Sequence, residues 1–316
     1  MRKLLVTLLA ALASASCLAQ PYPAKPVRLI VPFPPGGTAD LIARIVQPKF
    51  QEFLGQQVVV DYRGGAGGSI GTAEAARSAP DGYTLLLVFD THAVNHHLYR
   101  QAVDPLRTLD HIMLMVTSPS MLVAVSGFPP TTVAQLVARA KADAGGVTYA
   151  TAGAGSSNHM GALLLEQHAG IRMTHVPYKG GGPMIQALLG NQVDIAIMST
   201  PLILPHVQSG RVKALATGGK QRLAQLPELP TLGETFPGFE QVSWFGLVAP
   251  IGLPKDVSMK IHREMANALQ SPGTRRLLTE RGFDVVASSP AEFLRFVQLE
   301  SDKLGRLARD SKIQVD

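Results

Sequence analysis

The chain has 316 residues, 46% hydrophobic and only 6% aromatic, with 29 Lys+Arg against 23 Asp+Glu and a single cysteine. A mild positive balance without a basic stripe or interleaved aromatics argues against nucleic acid and favours small anions, and one cysteine excludes an internal disulfide. Beyond the first twenty residues no apolar run reaches the length needed to cross a bilayer.

Arg2 and Lys3 precede an apolar run from Leu4 to Leu12 and then small residues up to Ala19, the order of a secretory signal peptide. Cys17-Leu18-Ala19 before Gln20 has small residues at the two positions that a cleavage site constrains. The expectation is a leader over 1–19 that carries Cys17 away, and a mature periplasmic chain beginning at Gln20. The rival reading keeps Cys17 as a lipid-bearing first residue; Ser14 stands against it, where such a signal has a large aliphatic. Roughly 297 residues then remain, enough for two domains.

In chain order the pattern predicts a strand at Val27–Val31, a helix over Ala39–Phe53, a strand at Val58–Tyr62, a helix over Ile70–Arg77 and a strand at Tyr83–Phe89. Such alternation calls for a parallel sheet. A second series follows: strand Met121–Val125, helix Val133–Ala142, strand Thr148–Thr151, helix Asn158–His168, strand Met173–Val176, helix Pro183–Leu189 and strand Val193–Met198. It repeats the plan of the first. "VSWFGLVAP" (242–250) then reads as a returning strand, followed by two helices, the last opened by a capping box at Ser289-Pro290-Ala291-Glu292. A chain that leaves the first lobe near residue 120 and re-enters near 244 makes a two-stranded hinge.

The glycine loops of the two series match: "PPGGTAD" is echoed by "TAGAGSSNHM", and "DYRGGAGGSIG" by "VPYKGGGPMIQ". Each joins a strand to a helix. The first N–H groups of a helix lack partners and its dipole is positive there, so such a turn is a ready anion site. None of the loops has the Gly-Lys-Ser/Thr ending of a nucleotide-binding P-loop. Ligands in open α/β sheets bind beyond the carboxyl ends of the strands, and two lobes offering these ends to one cleft would surround an anion with donors.

The stretches "YPAKPVRLIVPFPPGGTAD", "LGQQVVVDYRGGAGGSIG", "PDGYTLLL", "YATAGAGSSNHM", "HVPYKGGGPMIQALLGNQVD", "LPHVQSGRVKALA" and "WFGLVAPIGLP" resemble the periplasmic solute receptors of the tripartite tricarboxylate transporter family, also called Bug proteins. The resemblance runs from Tyr22 through nearly all of the chain. It implies an α/β, two-lobed periplasmic binding protein of type II, the Venus flytrap, with a central, mostly parallel sheet in each lobe. The expected organisation is lobe 1 over 20–120 plus 245–316 and lobe 2 over 121–244. The implied activity is capture of a small organic mono- or dicarboxylate for a membrane permease or for sensing, by a monomer without cofactor, metal or catalytic residue. The motifs carry the candidate ligand-binding residues with them: Phe33, Gly37, Thr38, Ala39 and Asp40 in the first loop, Gly67 and Gly68 in the second, then Gly155, Ser156, Ser157 and His159, Tyr178 and Lys179, and Asp194. Asp40 reads equally as a first-turn acid favoured by the helix dipole, and Lys179 equally as a solvated cleft edge. One departure is His96, where relatives usually have proline.

Two enzyme readings compete on motifs alone. Gly67-Gly68-Ser69-Ile70-Gly71 fits the G-x-S-x-G nucleophile elbow of α/β-hydrolases, although Arg63 to Gly68 form a longer loop than an elbow has. Gly65-Ala66-Gly67 with Gly71 and Asp90 loosely resembles a dinucleotide fingerprint, but position 70 is Ile where glycine is required. His96-His97 lack the neighbours a metal site needs.

Overall fold

The structure is a computed structural model that describes residues 22–311 together with Ile313 and Val315. The expected leader, with Cys17 and the cleavage site, lies outside the described residues.

The first series comprises β1 (Val27–Val31), α1 (Thr38–Leu54), β2 (Val58–Tyr62), α2 (Ser69–Ala76) and β3 (Thr84–Phe89). β1 lies between β2 and β3 and runs parallel to both, as strand–helix–strand connections demand. One long strand, β4 (Leu109–Val125), follows, then α3 (Val133–Ala142). The second series is β5 (Thr148–Thr151), α4 (Ser157–Ala169), β6 (Thr174–Pro177), α5 (Gly181–Leu189) and β7 (Ile195–Ser199), with β5 parallel to both neighbours. Apart from short helical turns, the remainder is α6 (Thr200–Gln208), β8 (Val212–Thr217), β9 (Val242–Pro250), α7 (Lys255–Gln270), α8 (Pro272–Glu280), β10 (Asp284–Val285) and α9 (Pro290–Asp310). The expected capping box at Ser289 and Glu292 opens α9 with both reciprocal hydrogen bonds present.

Most boundaries differ from the sequence expectation by a residue or two, but β4 differs by twelve: it begins at Leu109 rather than Met121. Asp110, His111 and Pro119 interrupt its apolar pattern and hide its length in the sequence. From Leu109 to Pro119 it pairs antiparallel with β9; from Ser120 it pairs with β7 and β8 instead. β4 therefore belongs to both halves of the molecule, and β9 returns beside it, also antiparallel to β3. The sheet is mixed along the strand order β2-β1-β3-β9-β4-β7-β5-β6, and β8 and β10, which no sequence pattern announced, pair with β4 off this path.

Helices cover both faces of the first half. Ile42, Val46 and Phe50 of α1 and Ile261 and Met265 of α7 form one buried cluster against β1, β3 and β9. Phe293, Val297 and Leu304 of α9 pack on Ile30, Leu86, Trp244 and Val248 on the other. Burying each such side chain contributes roughly 1.5–3 kcal/mol. α9 approaches β9 so closely that a Cβ at Gly246 would lie 2.1 Å from Cζ of Phe293, which explains the glycine there. The second half has its own core, in which Leu136, Leu165, Leu188 and Ile203 meet Leu122, Val123 and Ala196.

Candidate functional site

A cavity of about 610 Å³ opens between the two halves. The first half contributes Phe33 to Ala39, Gly65 to Gly68, Phe89 and Thr91; the second contributes Ala152, Ser156 to Asn158, Lys179 to Met184, Ile197 to Ser199 and Leu202. Ser120, Ser243 and Phe245 of the two crossing strands complete the lining. Apart from those three, the lining positions are the carboxyl ends of strands and the loops and first helical turns that follow them, where the topology places ligands.

The amino ends of five helices, α1, α2, α4, α5 and α6, border this one space. Four have no side-chain cap: Gly37, Gly68, Gly180 and Ser199 precede α1, α2, α5 and α6 without a hydrogen bond to the first turn. The first-turn N–H groups of α1, α5 and α6 are left for something else to satisfy, whereas the Ser69 N–H that opens α2 bonds the Ala66 carbonyl. Gly68 (φ +96°) and Gly180 (φ +99°) hold left-handed backbone that other residues rarely adopt. α4 alone is capped, its His159 N–H bonding Ser156 Oγ at 3.4 Å. Among the described residues no carboxylate lines the cavity, and Lys179, exposed, is the one charged side chain that does. The site therefore carries positive potential built mainly from helix ends.

Nine candidate residues line the cavity: Phe33, Gly37, Thr38, Ala39, Gly67, Gly68, Ser156, Ser157 and Lys179. Five others do not, and each is occupied elsewhere. Asp40 accepts from Tyr62 Oη at 2.5 Å, Arg44 Nε at 2.7 Å and the Gly36 N–H at 2.8 Å; burial alone would raise its carboxyl, but these partners hold it below its ordinary value. It shapes the first loop from behind. His159 accepts the Gly155 N–H on Nδ1 at 3.0 Å and stacks on His175 with ring centroids 4.1 Å apart; burial, then His175, push it down to about 4. A Cβ on Gly155 would meet Leu98 Cδ1 at 2.6 Å, so this glycine serves contact between the halves. Tyr178 packs on the second core. Asp194 Oδ2 accepts from Thr148 N and Oγ1, both at 2.7 Å, and ties β7 to β5. His96 lies off the cavity, its ring tilted 39° to that of His97 with centroids 4.0 Å apart.

Several lining residues were not anticipated. Gly180 to Gly182 stand in the motif that supplied Tyr178 and Lys179, and the uncapped start of α5 is their signal. Ser199 stands just before Thr200-Pro201, a helix-start pattern; its hydroxyl is buried and has no partner. Ser120 and Ser243 sit in strands and carry no local signal at all.

The motif-based enzyme readings find little support in the geometry. Ser69 has ordinary helical angles (φ −62°, ψ −31°), and its buried hydroxyl has no hydrogen-bond partner, so no base is placed to activate it. Asp90 accepts a hydrogen bond from Ser157 of the other half and is buried, away from any ribose a dinucleotide would offer.

Residues 42–313 match the model of the tripartite tricarboxylate transporter family receptor. The chain belongs to this family. BugT of Bordetella pertussis is 34% identical over 302 residues, covering 94% of this chain and 93% of the relative. A protein from a tcbD-tcbE intergenic region of a Pseudomonas strain is 33% identical over 321 residues, covering all of this chain and 96% of its own. Among solved structures, the periplasmic binding protein BugD superposes with a TM-score of 0.86 at 33% identity, over 93% of this chain and 99% of its own. A Rhodopseudomonas palustris protein, Rpa4515, solved with adipate, gives 0.87 at 31% identity over 93% and 99%; MatC of the same organism, solved with malate, gives 0.84 at 29% over 90% and 99%. BugD is a periplasmic binding protein, and this chain shares its two-lobed α/β architecture.

Proposed function

We propose that the protein is a periplasmic receptor that captures a small organic acid in the cleft between its lobes and passes it to a membrane permease of the tripartite type or to a sensing system. The observation that carries this reading is the convergence of five helix amino ends, four of them without a side-chain cap, on one cavity that no acidic side chain lines among the described residues. Hydrogen bonds to a charged group contribute roughly 1.5–3 kcal/mol each, so three or four backbone donors can hold a carboxylate without an arginine clamp. The adipate and malate in the names of its structural neighbours are acids of the same kind.

The lobes run over 20–120 plus 245–316 and over 121–244, and the protein acts as a monomer without catalysis. The change of partners along β4 at Ser120, with β9 beside it, supports a hinge there. Melting of the mature chain against a panel of mono- and dicarboxylates tests the reading. At a hundredfold excess over Kd a bound acid stabilises the folded state by about 2.7 kcal/mol. A panel that leaves the melt unmoved, while an ester is hydrolysed, would refute it.

A further inference from the structure

Four of the polar side chains that line the cavity are already committed within the protein. Ser156 donates to the Gly153 carbonyl at 2.6 Å, Ser157 to Asp90, Thr91 to the Gly67 carbonyl at 2.9 Å and Asn158 to the Ile197 carbonyl at 2.7 Å. No arginine lines the space among the described residues, and the lone cation, Lys179, is exposed at its edge. A short diacid rich in hydroxyls would need partners for every oxygen and for a second charge. Beside Lys179, only the short hydroxyl side chains of Thr38, Ser120, Ser199 and Ser243 remain to supply them. The uncommitted donors are the uncapped helix ends and single hydroxyls on Thr38, Ser120, Ser243 and Ser199, the last 8% exposed and unpartnered among the described residues.

What remains of the lining is apolar and comes from both halves. Phe33 and Phe89 stand edge-on with centroids 5.7 Å apart, and Phe89 and Phe245, partners across β3 and β9, lie 4.8 Å apart. Both distances suit an aromatic cluster that can accept one more ring. The second half contributes Met184, Met198 and Leu202, and thioether sulfur packs favourably against ring edges while adapting its shape. A volume of about 610 Å³ falls in the middle of the range that encloses drug-sized ligands, roughly 300–1,000 Å³. A malate-sized acid would leave much of it to water lying on apolar walls.

Taking the cleft to hold a carboxylate, as proposed above, we infer that it selects an acid with an apolar, ring-bearing body, an aromatic monocarboxylate, over short dicarboxylates. The uncapped helix ends and Ser199 take the carboxylate. Phe33, Phe89 and Leu202 face the ring, and the buried Phe245, Met184 and Met198 back them.

Calorimetric titration of the mature chain with benzoate, phenylacetate, malate and adipate tests this. At least one aromatic acid binds about tenfold tighter than either diacid, and Phe89→Leu, verified as folded by circular dichroism, weakens that acid by about tenfold while changing the diacids little, as loss of one aromatic pairing requires. Malate or adipate binding tighter than both aromatic acids would overturn the ring-bearing class and leave the carboxylate receptor standing. Binding of none of the four would overturn both.

Discussion

The Ser157 hydroxyl donates to Oδ2 of Asp90, joining the first turn of α4 in one half to the turn that follows β3 in the other. Ser157 also lines the cleft, so this bond links the ligand space to the lobe contact. Burial pushes the Asp90 carboxyl up to about 8 against the lowering effect of Ser157; Glu300 of α9 adds to the rise and Lys303 offsets it. Oδ1 has no partner.

The raised value has a definite sign in stability. Between the ordinary carboxyl range and about pH 8 the folded protein holds a proton that the unfolded chain has released, so Asp90 makes stability fall as pH rises through that window. Asp90→Asn, neutral at every pH, removes that slope. Its melting temperature exceeds that of the wild type at pH 8, and the gap narrows as pH falls toward 4. Thermal melts of both proteins across this range check it; a gap that does not change with pH contradicts a protonated Asp90.

Gly246 offers a second test, one of packing. The 2.1 Å separation between its built Cβ and Phe293 Cζ leaves no space for a methyl group. Gly246→Ala forces α9 away from β9 and costs about 1–3 kcal/mol. Phe293→Leu in the Gly246→Ala background restores part of that loss because the ring no longer occupies the position. Urea unfolding of the single and double variants measures the coupling.

How much of this was legible beforehand depended on how local each signal is. Glycine loops, strand ends and the Ser289 capping box are written within a few residues, and the series of elements followed from them. The fate of a polar side chain is settled by partners far along the chain. Asp40 stands in the right loop, yet Tyr62, 22 residues away, helps turn its carboxylate from the cavity; Asp194 answers to Thr148, 46 residues away. β4 escaped because Pro119 reads as a strand end, whereas it falls where the strand changes partners. Ser120 and Ser243 reach the cleft only because β4 and β9 cross it, which no residue pattern in either strand states.

Asp40 can be tested for which of its two readings holds. Its partners hold its carboxyl below the ordinary value in the folded state, so its stabilisation is present above the unfolded carboxyl range and is lost as pH falls through the folded value. Asp40→Asn lowers stability at pH 7 by about 1–3 kcal/mol, and the deficit disappears in acid. Acid affinity, measured where both proteins are folded, changes by less than about threefold because the carboxylate does not face the cavity. A hundredfold loss of affinity would instead place Asp40 on the ligand.

The division between backbone and side chain in the cleft is tested by a pair of substitutions three positions apart, Lys179→Ala and Gly182→Asp. Lys179 is exposed, so its charge steers association more than it holds the bound acid. Its removal slows association at low salt and changes the dissociation rate little. Gly182 lies in the first turn of α5 and lines the cavity, and a Cβ built there meets nothing within 4 Å. An aspartate is sterically admitted, and its charge is favoured at a helix amino end, so the variant folds as well as the wild type. Its carboxylate then occupies the donors meant for the ligand and repels a second anion, and acid binding falls by about a hundredfold or more, the loss of one or two charged hydrogen bonds. Calorimetry on the folded variant decides the matter: near-normal acid binding by Gly182→Asp would show that the amino end of α5 does not hold the carboxylate.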